Sequence, residues 1–147
     1  MIDGIESVNW TGRIEQVKEQ PLMVIDGAHN NESVDALVQV IKKYQQKNVH
    51  ILFAAINTKP IESMLESLSS IAPVSVTSFD YPKAIALTEM EKYEDDLTEI
   101  VSLWQFGLGE ILEKMSTDDL LLVTGSLYFV SQVRELLLTI GGNDEEI

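Results

Sequence analysis

An aspartate and a histidine stand three residues apart, Asp26 and His29, in the segment LMVIDGAHN at residues 22–30. A carboxylate accepts hydrogen bonds from hydroxyl groups, and an imidazole can both give and take a proton. Four apolar residues run into Asp26, a Gly-Ala-His-Asn loop follows, and a helical pattern opens at Glu32. An apolar run of this kind suits a strand buried on both faces, as in a parallel sheet. A loop of small residues leading from such a strand to a helix lies at the carboxyl edge of the sheet, where open α/β folds bind ligands. The same nine residues also read as a plain strand-to-helix turn, with Gly27 for its backbone and Asn30 as N-cap. Arg13 lies upstream in the alternating stretch RIEQV, residues 13–17, and Ser126 follows a second apolar run, LLLVT at 120–124.

These residues need a scaffold. Residues 13–17 and 22–26 predict a hairpin joined by Lys18-Glu19-Gln20-Pro21, with Val17 opposite Leu22 and Arg13 opposite Asp26. A cross-strand ion pair of small value is the plain alternative for Arg13. Val34, Leu37, Val38 and Ile41 form the stripe of an amphipathic helix over 32–44, and VHILFAAI at 49–56 is a second buried strand. Ile61, Met64, Leu65 and Leu68 mark another helix, and VSVTSF at 74–79 a third parallel strand. Thr88 and Glu91 have capping-box spacing for a further helix. Leu97, Ile100, Val101, Trp104, Leu108, Ile111, Leu112 and Met115 continue one helical stripe, weakened by Gly107 and Gly109. The last helix follows Gly125-Ser126 and is expected to end at Gly141-Gly142, with 141–147 as a mobile acidic tail. Strands alternating with helices imply an α/β fold: a Rossmann-like, doubly wound, mostly parallel sheet with an antiparallel N-terminal edge strand. The 147 residues favour one domain.

Composition narrows the function. With 24 acidic and 10 basic residues the formal charge is −14, a field that repels nucleic acid and anionic membrane surfaces. There is no cysteine, which excludes disulfides, thiolate metal sites and a cysteine nucleophile and is compatible with a cytoplasmic protein. No apolar stretch reaches the length of a membrane span, and Met1-Ile2-Asp3-Gly4 does not open a signal peptide. His50 opens a buried strand with no acidic neighbour in sequence and reads as structural. Trp104 falls on a helical stripe and should be core, Trp10 reads as an apolar anchor, and Asp80-Tyr81-Pro82 reads as an ordinary turn at the ligand edge.

WTGRIE (10–15), DGAHN (26–30), HILFAAINTK (50–59), FDYPKA (79–84) and VTGSLYFV (123–130) occur in this order. Between about Ile2 and Leu138 the chain closely resembles the C-terminal domain of folylpolyglutamate synthases, in the Mur ligase superfamily. Gly27 points to the folate branch, since cell-wall relatives usually carry Tyr there. The resemblance implies an ATP-dependent ligase that phosphorylates a folate carboxylate and lets the amino group of L-glutamate attack the acyl phosphate. Tetrahydrofolate or dihydropteroate would be the acceptor. It further implies that Arg13 reaches the ATP phosphates, that Asp26 binds the ribose, and that His29 lies beside the nucleotide. Ser126 would help shape the glutamate site. Thr11 and Asn31 replace the family's prolines, Ala54 a glycine and Asn57 a lysine, whose substrate contact Lys59 would have to supply. No GxxxxGK motif followed by Ser or Thr is present, and no carboxylate cluster offers a magnesium site. The family carries both in a larger N-terminal P-loop domain, which would hold Mg2+, so the chain reads as a fragment inactive by itself. A non-catalytic nucleotide- or folate-binding module, or an interaction domain that keeps the fold, are the rival readings. Asp26 and His29 are expected to face an open cleft, with Arg13 and Ser126 on the same edge.

Overall fold

The computed structural model of the chain describes residues 15–19, 22–27, 31–43, 48–56, 61–93 and 98–146. Six strands form one sheet: β1 (Glu15–Glu19), β2 (Leu22–Asp26), β3 (Val49–Ala54), β4 (Val74–Val76), β5 (Thr98–Ile100) and β6 (Leu120–Gly125). Their spatial order is β1-β2-β6-β3-β4-β5. Every pairing is parallel except that of the edge strand β1 with β2. The helices are α1 (Asn31–Ile41), α2 (Ile61–Ser69), α3 (Leu87–Met90), α4 (Trp104–Lys114) and α5 (Leu127–Glu146).

The apolar runs explain the interior strands. β6 lies between β2 and β3, and all six of its residues are buried. Alternate side chains enter opposite faces. Leu120 and Leu122 join Val24, Ile51 and Phe53 beneath α1 and α2, where Val34, Leu37, Ile61, Met64 and Leu68 are buried. Leu121 and Val123 join Ile25 and Leu52 beneath α4 and α5, with Trp104, Leu108, Phe129 and Val133. Burying each large side chain contributes about 1.5–3 kcal/mol. The sheet is therefore doubly wound, and Trp104 is core, as its place on the stripe predicts.

Four expectations need correction. Glu19, not Val17, pairs with Leu22, and Glu15 stands opposite Ile25, where the predicted register put Ile14. A bulge between Gln16 and Lys18 inserts an extra residue into β1, which no count from the hairpin loop could reveal. Residues 98–100, taken as part of a helical stripe, form β5 and pair in parallel with β4, Val76 opposite Ile100. Pairing with β4 outweighs a fortuitous helical period, and α4 starts only at Trp104. The helix near Thr88 is a single turn whose N-cap is Ala86, without a side-chain cap. Finally, α5 does not stop at Gly141-Gly142 but runs on to Glu146. Interior glycines cost only about 1 kcal/mol each, too little to end a helix already docked by its first turns.

Candidate functional site

The chain leaves β2 for α1 on one face of the sheet, and leaves the adjacent β6 for α5 on the other. Two neighbouring parallel strands whose following helices diverge open a crevice at their carboxyl ends, the usual ligand position of such sheets. Asp26 ends β2, in register with Thr124 of β6, and Thr124 is in register with Phe53 of β3. Asp26 and Ser126 thus share one edge, as the parallel topology requires.

The turn after β6 depends on glycine. Gly125 has φ +122°, and a Cβ there would come within 1.9 Å of the Ala54 carbonyl oxygen. This close approach lets the Ser126 amide donate to the same carbonyl at 2.8 Å. Ser126 then caps α5: its Oγ accepts from the Tyr128 amide at 3.1 Å, and its carbonyl accepts from Val130 at 2.9 Å. Its hydroxyl accepts one bond from the helix and keeps its proton to donate.

Asp26 departs from the expectation of an open cleft. It is 5% exposed, buried at the carboxyl end of β2. Asp26 shares its strand parity with Val24, so its side chain stands on the α1 face, next to the start of that helix. Arg13, His29 and Lys59 lie outside the described residues, as does Trp10.

Three features of this edge were invisible in the sequence. Thr124 is fully buried, and its Oγ1 has no hydrogen-bond partner. Tyr81, read as part of a turn, stacks between Phe79 (centroids 5.7 Å apart) and Tyr128 (4.4 Å). Hydrogen bonding to the Tyr128 hydroxyl, and then burial, raise the Tyr81 phenol above its ordinary pKa. The exposed large apolar residues of the described chain are Leu103, Phe106, Leu127 and Tyr128, all at the starts of α4 and α5. Both helices follow directly on the carboxyl ends of strands, so all four side chains rim the same edge.

The opposite edge is organised around Asp119, at the foot of β6. Its Oδ2 accepts from His50 Nε2 at 3.1 Å and from the Ser116 amide at 3.2 Å, and its Oδ1 from Asn48 Nδ2 at 3.3 Å and Ser116 Oγ at 3.2 Å. Burial alone would raise this carboxyl, but the bonds from His50, Ser116 and Asn48 outweigh it and hold it below the usual range. His50 is structural, as expected, with a partner 69 residues away that adjacency in sequence could not disclose. A shallow groove of about 570 Å3 between α1 and α2 is lined by exposed polar groups such as Asp35, Gln39, Lys42 and Glu66. Among the described residues no three His, Cys, Asp or Glu side chains converge as metal ligands. No described helix is long and apolar enough to cross a membrane.

The family model for the Mur ligase, glutamate ligase domain matches residues 12–127. The chain belongs to this family. Its crevice lies where β2 and β6 of the Mur ligase domain end, and both strands are inside the matched range. The chain is 32% identical over 141 residues to the dihydrofolate synthase/folylpolyglutamate synthase of Bacillus subtilis, covering 91% of this chain and 32% of that protein. It is 28% identical over 141 residues to the folylpolyglutamate synthase of Lacticaseibacillus casei, covering 92% and 31% respectively. Among solved structures, the bifunctional folylpolyglutamate synthase/dihydrofolate synthase of Yersinia pestis, complexed with AMPPNP and a Mn ion, superposes with a TM-score of 0.80 at 23% identity, over 91% of this chain and 33% of that one. The Mycobacterium tuberculosis folylpolyglutamate synthase complexed with ADP gives 0.76 at 20% identity, over 91% and 34%. At these identities the structures speak for the fold. The Mur ligase domain described here spans about a third of the length of the curated relatives it matches.

Proposed function

We propose that this Mur ligase domain is the C-terminal part of an ATP-dependent ligase that adds L-glutamate to a folate, a folylpolyglutamate synthase. The observation that carries the reading is the shared edge: within a domain of this family, Asp26 ends β2 and Ser126 follows β6, its parallel neighbour. Curated relatives named for that activity support it.

The residues present suit half of a nucleotide site. The Asp26 carboxylate would accept hydrogen bonds from ribose hydroxyls, and its burial at the sheet edge restricts its orientation. Arg13 would take the phosphates with its permanently charged planar fork, and His29 would lie beside the nucleotide. Ser126 would donate its hydroxyl toward the incoming glutamate, with Lys59 as a second contact. A P-loop domain supplied by the N-terminal part of the enzyme would cradle the triphosphate and hold Mg2+. ATP supplies the phosphoryl group that activates the folate carboxylate. The contribution of this chain is then to fix the nucleotide and the amine nucleophile, since phosphoryl and acyl transfer gain most from positioning and charge stabilisation.

The test is a glutamylation assay with ATP, magnesium, tetrahydrofolate and glutamate. The chain alone should form no product, whereas the chain joined to its P-loop domain should. Turnover by the chain alone would overturn the reading. In the joined enzyme Arg13→Ala should lower kcat/KM by roughly a thousandfold, the scale of phosphate-clamping arginines. Its melting temperature should barely move, since an exposed pair contributes about 1 kcal/mol or less. A variant that melts far lower yet stays active would make Arg13 a structural residue.

A further inference from the structure

One buried polar atom at the crevice has no work in the ligand-free fold. Thr124 Oγ1 is fully enclosed and, among the described residues, is the buried side-chain polar atom left without a hydrogen bond. Such a group costs stability, and valine would fill the same volume without that cost. Valine already occupies the preceding position, Val123, so the strand tolerates it.

The surroundings of Thr124 are specific. Its register partners are Asp26 on β2 and Phe53 on β3. In-register residues of parallel strands point to the same face, and neighbouring strands are about 4.8 Å apart. Leu122 and Val24, of the same parity, both enter the core beneath α1, which places the Thr124 and Asp26 side chains side by side there. The Phe53 ring, on the other flank, accepts no conventional hydrogen bond. Asp26 already has a contact of its own. Its two oxygens offer about four acceptor positions, so a bond from Thr124 adds to that contact and does not displace it.

We infer that Thr124 is a positioning residue for Asp26: when ribose hydroxyls engage the carboxylate, Thr124 Oγ1 donates to it from behind and fixes its orientation. The inference rests on the reading of Asp26 as the ribose-binding acid. The unmade hydrogen bond of the free protein is then stability withheld until the ligand arrives, a common trade at binding sites.

Calorimetric titration of ADP into the chain joined to its P-loop domain, wild type and variants, tests this. Thr124→Val should bind ADP roughly three- to tenfold more weakly, the scale of one hydrogen bond, while melting at or above the wild-type temperature without ligand. Thr124→Ser, which keeps the hydroxyl, should bind like wild type. With 2′,3′-dideoxy-ADP the penalty of Thr124→Val should vanish, because the group that Asp26 grips is gone. If Thr124→Val binds ADP as wild type does, or if it melts well below wild type, the positioning role is overturned. Asp26→Asn separates the two levels. If Asp26→Asn weakens ADP and Thr124→Val does not, only the role of Thr124 fails. If neither Asp26→Asn nor the dideoxy analogue changes binding, the assignment of Asp26 falls and the inference falls with it.

Discussion

At the amino ends of β3 and β6, Asp119 collects four hydrogen bonds from Asn48, His50 and Ser116. At the carboxyl ends of β2 and β6, Thr124 makes none, Gly125 sits at φ +122° against a carbonyl, and apolar side chains stand in solvent. Both edges flank β6, and each holds one buried polar residue at or beside an end of that strand, Asp119 or Thr124. The polar groups of the amino edge are spent inside the protein, where they join β3, β6 and the loop after α4. Those of the carboxyl edge are partly unspent. A buried polar group that the fold itself satisfies is evidence about stability, whereas one that it leaves unsatisfied is evidence about what binds there.

The largest effect expected from this contrast is at Gly125. Gly125→Ala forces a Cβ within 1.9 Å of the Ala54 carbonyl oxygen at a positive φ. It should destabilise the domain by about 4 kcal/mol or more, lowering the melting temperature by roughly 10 °C. A near-wild-type melting curve would mean that the turn can open elsewhere, and the crevice would lose its rigid side.

The next effect lies at the amino edge. Asp119→Asn turns an oxygen that accepts from His50 or Ser116 into a donor, and should lower the melting temperature at neutral pH by several degrees. The folded carboxyl is held below its ordinary value, chiefly by His50 and Ser116 against the opposing effect of burial. Its contribution is therefore complete above the ordinary carboxylate pKa of about 4, and is lost as the pH falls through the depressed folded value. Wild type should lose melting temperature over that acidic window, and Asp119→Asn should show a shallower decline. Equal slopes for the two proteins would deny the amino edge its role as an internal lock.

The smallest effect is at the start of α4, on the carboxyl side of β5. Phe106 is 72% exposed, and Phe106→Ala should change stability by about 0.5 kcal/mol or less. A larger loss, measured by urea unfolding, would show that the carboxyl edge does structural work after all and would blur the contrast.

How far the sequence discloses all this follows from the range over which each signal acts. β2, β3 and β6 are legible because a strand buried on both faces is mostly apolar, and Leu22 to Ile25, Ile51 to Ala54 and Leu120 to Val123 are apolar runs. α1 and α2 are legible because Val34, Leu37, Val38 and Ile41, or Ile61, Met64, Leu65 and Leu68, repeat at helical spacing on the buried side. β5 is hidden because three residues are too few to show a period of two, and Ile100 and Trp104 happen to fit a helical spacing. The candidate site is legible as far as Asp26 and Ser126, since both end visible strands. Thr124 is not, because a threonine in LLLVTG reads as ordinary β-branched packing until its hydroxyl is seen to lack a partner. The Asp119 cluster joins residues some seventy positions apart, and nothing in the local sequence announces it.

The place of β6 bears on how the chain becomes a domain at all. It is the last strand in sequence, yet it stands in the middle of the sheet, hydrogen-bonded to β2 on one side and β3 on the other. Until residues 120–125 have been synthesised, only two separate pieces can pair: the β1–β2 hairpin, and the group of β3, β4 and β5. Each piece presents an apolar strand, β2 or β3, with one edge open to another chain. Folding therefore waits for the C-terminal fifth of the chain, and the closing step brings together residues far apart in sequence, a slow kind of contact. During synthesis, or after a nonsense truncation before Leu120, the same strands that later line the crevice are the ones most exposed to misassembly.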